Sequence, residues 1–199
     1  MGRGALVNSL ARTPHVQEPL PPPLLLPRPP PKMPEYRSAG ELVAAVERGK
    51  KYVGLDAGVT PSEADVASIA RAVGESRKVK VLILEGNQIT DAGAAALAEA
   101  VAKSTSLTEL FLNNNEITAA GAAKLAEAVA RSTSLTMLYL GVNKIADVGA
   151  SKLAETMARS TSLTELNLFN NQITDMGAAK LAEAVARSSL LTTLHLSRN

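Results

Sequence analysis

Residues 107–134 read LTELFLNNNEITAAGAAKLAEAVARSTS, and residues 163–190 match them at 21 of 28 positions. Agreement that dense at a fixed spacing marks the duplication of one structural unit. Working outward, the same unit starts at Val79, Leu107, Leu135 and Leu163, and a partial one begins at Leu191. A degenerate copy covers 51–78, where Val53 and Leu55 stand for the strand and Ile69 and Val73 for the helix. Within the unit, Leu110-Phe111-Leu112 alternates with the period of two that a short strand requires, which turns Phe111 away from the leucines. Thr118 is a good N-cap residue, and Leu125 and Val129 at i, i+4 give the helix after it one inward face.

A strand on one side of every unit and a helix on the other forces curvature. The expected fold is therefore an α/β solenoid, an arc with parallel strands on the concave face and helices on the convex face. The pattern Leu-x-x-Leu-x-Leu-x-x-Asn-x-Ile followed by a Gly-containing helix, 28 residues in all, resembles the ribonuclease-inhibitor-like class of leucine-rich repeats. The resemblance is strong over 79–199 and weak over 51–78. It implies this fold and a buried asparagine ladder at Asn87, Asn115, Asn143, Asn171 and Asn199; it says little about function, because that fold hosts many. The side-chain amides are suited to bond backbone groups where the chain leaves each strand.

Apolar residues make up 46% of the chain but aromatic ones only 3%, so Leu and Ala fill the core, as suits stacked units of uniform thickness. Ten of the eleven prolines fall between Pro14 and Pro34, which excludes helix or sheet there. Residues 1–37 are expected to be a disordered Pro-rich tail, 38–50 a capping helix and 51–199 the repeat domain. Ser38-Ala39-Gly40-Glu41 is a capping-box pattern that starts the helix, read over roughly 39–48. Pro27-Arg28-Pro29-Pro30-Pro31-Lys32 fits the pattern accepted by SH3-type grooves, although a plain spacer would read the same.

Charge and cysteine content exclude several classes. Residues 1–50 hold seven Lys/Arg against four Asp/Glu, and 51–199 hold fourteen against fifteen, so no basic face for a nucleic-acid backbone is implied. No apolar run approaches the ~18–20 residues that cross a bilayer, so no membrane association is expected. The absence of Cys removes thiolate chemistry and agrees with a reducing, cytoplasmic setting. Residues 1–12, with two Arg and no acid, leave an organelle transit peptide as the alternative. No phosphate-binding loop, zinc motif or catalytic triad is present, so the chain is expected to be no enzyme and to need no cofactor or metal.

The informative positions are those at which similar repeats differ. One column holds Ile83, Phe111, Tyr139, Asn167 and His195; a second holds Glu85, Asn113, Gly141, Phe169 and Ser197; a third holds Val81, Glu109, Met137, Glu165 and Thr193. All three alternate with core leucines and should face the concave side. Exposed aromatics on a rigid strand surface are good interface anchors. The expected partner-binding residues are Glu109, Phe111, Asn113, Met137, Tyr139, Glu165, Asn167, Phe169 and His195, for a protein partner. The competing reading is that these residues merely pack on one another as cross-strand neighbours.

On the convex side, Glu99/Lys103, Glu127/Arg131, Glu155/Arg159 and Glu183/Arg187 form an i, i+4 series expected to pair in solvent. The final strand, Leu194-His195-Leu196, has no helix after it, so Leu191, Leu194 and Leu196 should face a half-open core; a fragment, or self-association through that end, would explain this. Two further functions stand beside the scaffold reading. The repeats look like those of Ran GTPase-activating proteins, which implies regulation of an enzyme, and the array would also serve as the sensing part of a longer receptor.

Overall fold

The computed structural model describes residues 35–199. The Pro27–Lys32 motif and the transit-peptide reading lie outside them. Strand β1 (Glu35–Tyr36) comes first, followed by α1 (Ala39–Glu47), β2 (Tyr52–Leu55), α2 (Glu63–Glu75), β3 (Val81–Ile83) and α3 (Asp91–Lys103). Next come β4 (Glu109–Phe111), α4 (Ala119–Arg131), β5 (Met137–Tyr139), α5 (Ala146–Met157), β6 (Glu165–Asn167), α6 (Asp175–Arg187) and β7 (Thr193–His195). The seven strands form one parallel sheet in chain order, the helices packing beside one another on its other side. This is the α/β leucine-rich solenoid that the repeat predicts.

Strand β1 precedes the helix start at Ser38. Glu35 and Tyr36 pair with Gly54 and Leu55, and the Asp56 N–H donates to the Tyr36 carbonyl at 2.9 Å. Glu35–Tyr36 thereby covers the edge of β2 that would otherwise be unpaired. The capping helix is present as α1. The Ser38 hydroxyl accepts from the Glu41 N–H at 3.2 Å, and Glu41 in turn accepts from the Arg37 N–H at 2.9 Å. Buried Leu42, Ala45 and Val46 close the core of the first repeat.

Register is uniform from β3 to β7: Leu82, Leu110, Leu138, Leu166 and Leu194 stand side by side. Between β2 and β3 it advances by 29 residues, since Val53 pairs with Leu82. The degenerate unit thus holds one extra residue. The asparagine ladder is buried and bonded throughout its interior. The Asn115 amide N–H groups donate to the carbonyls of Leu84 (2.9 Å) and Leu112 (3.0 Å), while its oxygen accepts from Asn87 N–H (3.0 Å) and Ile89 N–H (2.9 Å). Each amide therefore ties two repeats together at the strand exits, where backbone groups would otherwise be buried without partners.

One convex-side expectation is corrected. Among the described residues the glutamates pair with the lysine three positions earlier: Lys124–Glu127 (3.8 Å), Lys152–Glu155 (3.0 Å) and Lys180–Glu183 (3.4 Å). Lys103, Arg131 and Arg187 stay in the last helical turn, where the carbonyl end of the helix dipole favours a cation. Exposed pairs of this kind contribute little to stability. At the C-terminal side, α6 buries only Gly177, Leu181 and Ala184, and all three residues of β7 are partly exposed.

Candidate functional site

The three divergent columns lie together on the strand face, as alternation requires. Parallel pairing brings Glu109, Met137 and Glu165 into one row and Phe111, Tyr139, Asn167 and His195 into the next. The middle row departs from expectation. Phe111 and Tyr139 are each only 2% exposed and Asn167 1%. Register places the two aromatic rings directly beside each other, and they stack at 4.4 Å between centroids with 7° between planes. Together with Val81, and with Ile83 and Met137 against them, they make a second small core on the concave side. Cross-strand packing, not exposure, is what these two rings do. Asn167 is occupied locally, its side-chain oxygen accepting from the Phe169 N–H at 2.9 Å.

The accessible part of the face is the rim of that apolar floor. Glu109, Asn113, Met137, Glu165, Phe169 and His195 are all partly exposed. Glu165 accepts from the Tyr139 hydroxyl at 2.6 Å, and the same carboxylate oxygen lies 3.7 Å from His195 Nε2. The Asn113 amide donates to Glu85, and its oxygen accepts from the Gly141 N–H at 2.8 Å. The fit around Gly141 is tight: a Cβ would stand 3.1 Å from the side-chain oxygens of both Asn113 and Asn167. The Arg198 guanidinium lies over Phe169, 5.4 Å from the ring centroid. Glu109 has no hydrogen-bond or ion-pair partner among the described residues.

Two carboxylates join the face that the expected site omitted. Glu85 pairs across the sheet beside Asn113; burial pushes its carboxyl above the ordinary glutamate value, and the Asn113 amide pulls it partly back. Its column diverges between repeats, so the signal for it was in the sequence. Asp56 occupies the equivalent place after β2, and one of its oxygens, Oδ1, is buried without a hydrogen-bond partner among the described residues. The extra residue before β3 hides this equivalence from a strict 28-residue count. From β2 to β7 the three columns thus carry Asp56, Glu85, Glu109 and Glu165 and neither Lys nor Arg. Among the described residues no group of three or more acidic or histidine side chains is placed to hold a metal ion.

Leucine-rich-repeat family models match the chain: one in two copies over residues 133–183, another over 75–98 and 103–126. No curated protein matches it in sequence. Among solved structures it is similar to the domain described as leiomodin-1 actin-binding site 2, with 18% identity and a TM-score of 0.65, covering 74% of this chain and 87% of that one. It is also similar to the tropomodulin C-terminal domain of Caenorhabditis elegans, with 16% identity and a TM-score of 0.62, covering 75% and 92%.

Proposed function

Because the chain belongs to the leucine-rich-repeat proteins, we propose that it is a non-enzymatic scaffold binding a protein partner on its concave strand face. The observation that carries this reading is the placement of the divergence. Repeats that are otherwise largely alike, apart from a few loop and helix-start positions, vary along three columns in which only Glu109 and Glu165 repeat, and those columns are neighbours on one sheet. Likeness elsewhere is explained by the core and the asparagine ladder; neither explains variety on this face.

The chemistry of the face indicates the kind of partner. Four carboxylates in columns that carry neither Lys nor Arg call for Lys or Arg on the other side, with Met137, and Phe169 beneath the Arg198 guanidinium, offering apolar contact between them. Glu109, half-buried and unpaired, stands to gain most from a partner's cation. The leiomodin domain is described as an actin-binding site. At 18% identity that is a reason to include actin among the proteins tested, and no more. Regulation of a small GTPase stays as the second reading and is separated by a GTP-hydrolysis assay.

The test compares wild type with Glu109→Arg/Phe169→Ser, two accessible positions whose change leaves the Phe111–Tyr139 stack in place. Proteins captured from extract are identified, purified and titrated directly. Weakening of about tenfold or more in the variant, with unchanged circular dichroism, supports the concave face. Equal affinity for both proteins would move binding to the Pro-rich segment or to the open flank of α6 and β7.

A further inference from the structure

The edge on which helices end and strands begin carries a concentration of cations at the first repeat that no later repeat shares. The turn after α1 and the turn after α2 are brought together by the sheet. The Lys80 N–H donates to the Lys51 carbonyl at 2.6 Å, which sets these two lysines side by side. Gly49, left-handed at φ 75°, lets the neighbouring turn approach so closely that a Cβ there would stand 2.9 Å from Lys78 Nζ. Between the ends of α1 and α2 lies an open cleft of about 660 Å³, lined by Arg71, Arg77 and Lys78 together with Glu47 and Glu75. Lys50, Lys51 and Lys80 stand on the same edge. All six cations are exposed, and none has an ion pair or side-chain hydrogen bond among the described residues.

Comparing the repeats shows what is unusual. Where the first repeat has Arg77-Lys78 and Lys80, the next three have Thr-Ser and Thr; where it has Arg71 and Glu75, the later ones carry the pair reversed, as Glu99/Lys103, Glu127/Arg131, Glu155/Arg159 and Glu183/Arg187. The later hydroxyls hold the solenoid together. Ser106 donates to the Ser76 carbonyl at 2.9 Å, Ser134 to Ser104 at 3.0 Å, and Thr108 to Lys80 at 2.9 Å. The first repeat gives up that bonding scheme and accepts repulsion between adjacent like charges. Glu47 and Glu75 offset part of this charge, and the excess that remains is cationic.

We propose that the cleft between α1 and α2 binds a small anion carrying two or more phosphate groups. Its size is within the usual range for a small-molecule site. Arg71 and Arg77 can each grip phosphate oxygens through two N–H groups, and Lys78 adds a compact charge between them. Lys50, Lys51 and Lys80 draw the anion in and offset Glu47 and Glu75. Six cations against Glu47 and Glu75 leave a net charge of +4, which two phosphates match more fully than one. The phosphates belong either to a soluble molecule or to a lipid headgroup.

The full chain is titrated calorimetrically with sodium tripolyphosphate and, separately, sedimented with phosphatidylcholine vesicles containing phosphatidylinositol bisphosphate. Each assay is repeated on Arg77→Glu/Lys78→Glu and on Arg131→Glu/Arg159→Glu, which makes the same charge change at later repeats of the same edge. Saturable one-to-one binding, weakened about tenfold or more only in the first variant, is expected. Binding in solution assigns a free phosphate compound, and binding to vesicles alone assigns the headgroup. Should the first variant fail to fold by circular dichroism, the neutral Arg71→Gln/Arg77→Gln replaces it. Absence of binding to both probes, or equal weakening in both variants, overturns the proposal.

Discussion

Asp147 of one repeat caps the helix of the next through Thr174. Its carboxylate accepts the Thr174 N–H at 2.8 Å and the Thr174 hydroxyl at 2.7 Å, and it reaches the Gly177 N–H at 3.1 Å. Asp91 does the same for Thr118 and Gly121. Between these two joints the pair is Ala119 and Ala146, so that seam lacks the bond.

The hydrogen bonds from the Thr174 side chain and backbone hold the Asp147 carboxyl below the ordinary aspartate value. Ionised Asp147 therefore supports the fold at all pH above that ordinary value, 3.8, and its support is lost as pH falls through the lower native value. Asp147→Ala is expected to lower the urea midpoint at neutral pH. The difference from wild type should shrink as pH drops below 3.8. A constant difference across that range would refute the capping role.

Glu85 behaves oppositely. Burial raises its carboxyl above the ordinary value of 4.5, so the ionised form opposes folding. That penalty is absent below 4.5 and grows as pH rises through the native value. Glu85→Gln keeps an oxygen for the Asn113 amide and should raise the thermal midpoint at neutral pH, with no gain in acid. Equal midpoints at neutral pH would contradict it.

Val142 sits at φ 54°, the left-handed region, where a β-branched side chain is strained. The repeats on either side place Asn114 and Asn170 there, at φ 54° and 50°. Its side chain is exposed, so replacement sacrifices no core packing. Val142→Asn is expected to stabilise by about 1 kcal/mol in urea unfolding. Destabilisation would mean the valine has a contact the fold needs.

The Asn143 amide donates to the carbonyls of Leu112 (3.0 Å) and Leu140 (2.9 Å) and accepts from the Ile117 N–H (3.0 Å). Asn143→Ala leaves these buried groups unpaired and should cost about 3 kcal/mol or more. Asn199, exposed at the last ladder position, should cost clearly less when changed to Ala. Equal losses in urea unfolding would argue against burial as the cause.

Much of this was legible in the residues. The 28-residue period, the leucine alternation at Leu110 and Leu112, and Ser38 before the capping helix each express a local rule: side-chain period, strand pleat, or N-cap chemistry. Leu82, Leu110, Leu138, Leu166 and Leu194 could align only one way, because a slip by one residue would turn every leucine outward. The concave columns were readable for the same reason. What is accessible within them was not. Phe111 and Tyr139 are 28 residues apart, and only the sheet register lays one ring on the other and buries both. Register also brings Asp56 into line with Glu85 across a 29-residue step and gathers Lys51 beside Lys80. A sequence determines which way each side chain points; which neighbour it meets, and whether water still reaches it, is decided by pairing between strands far apart in the chain.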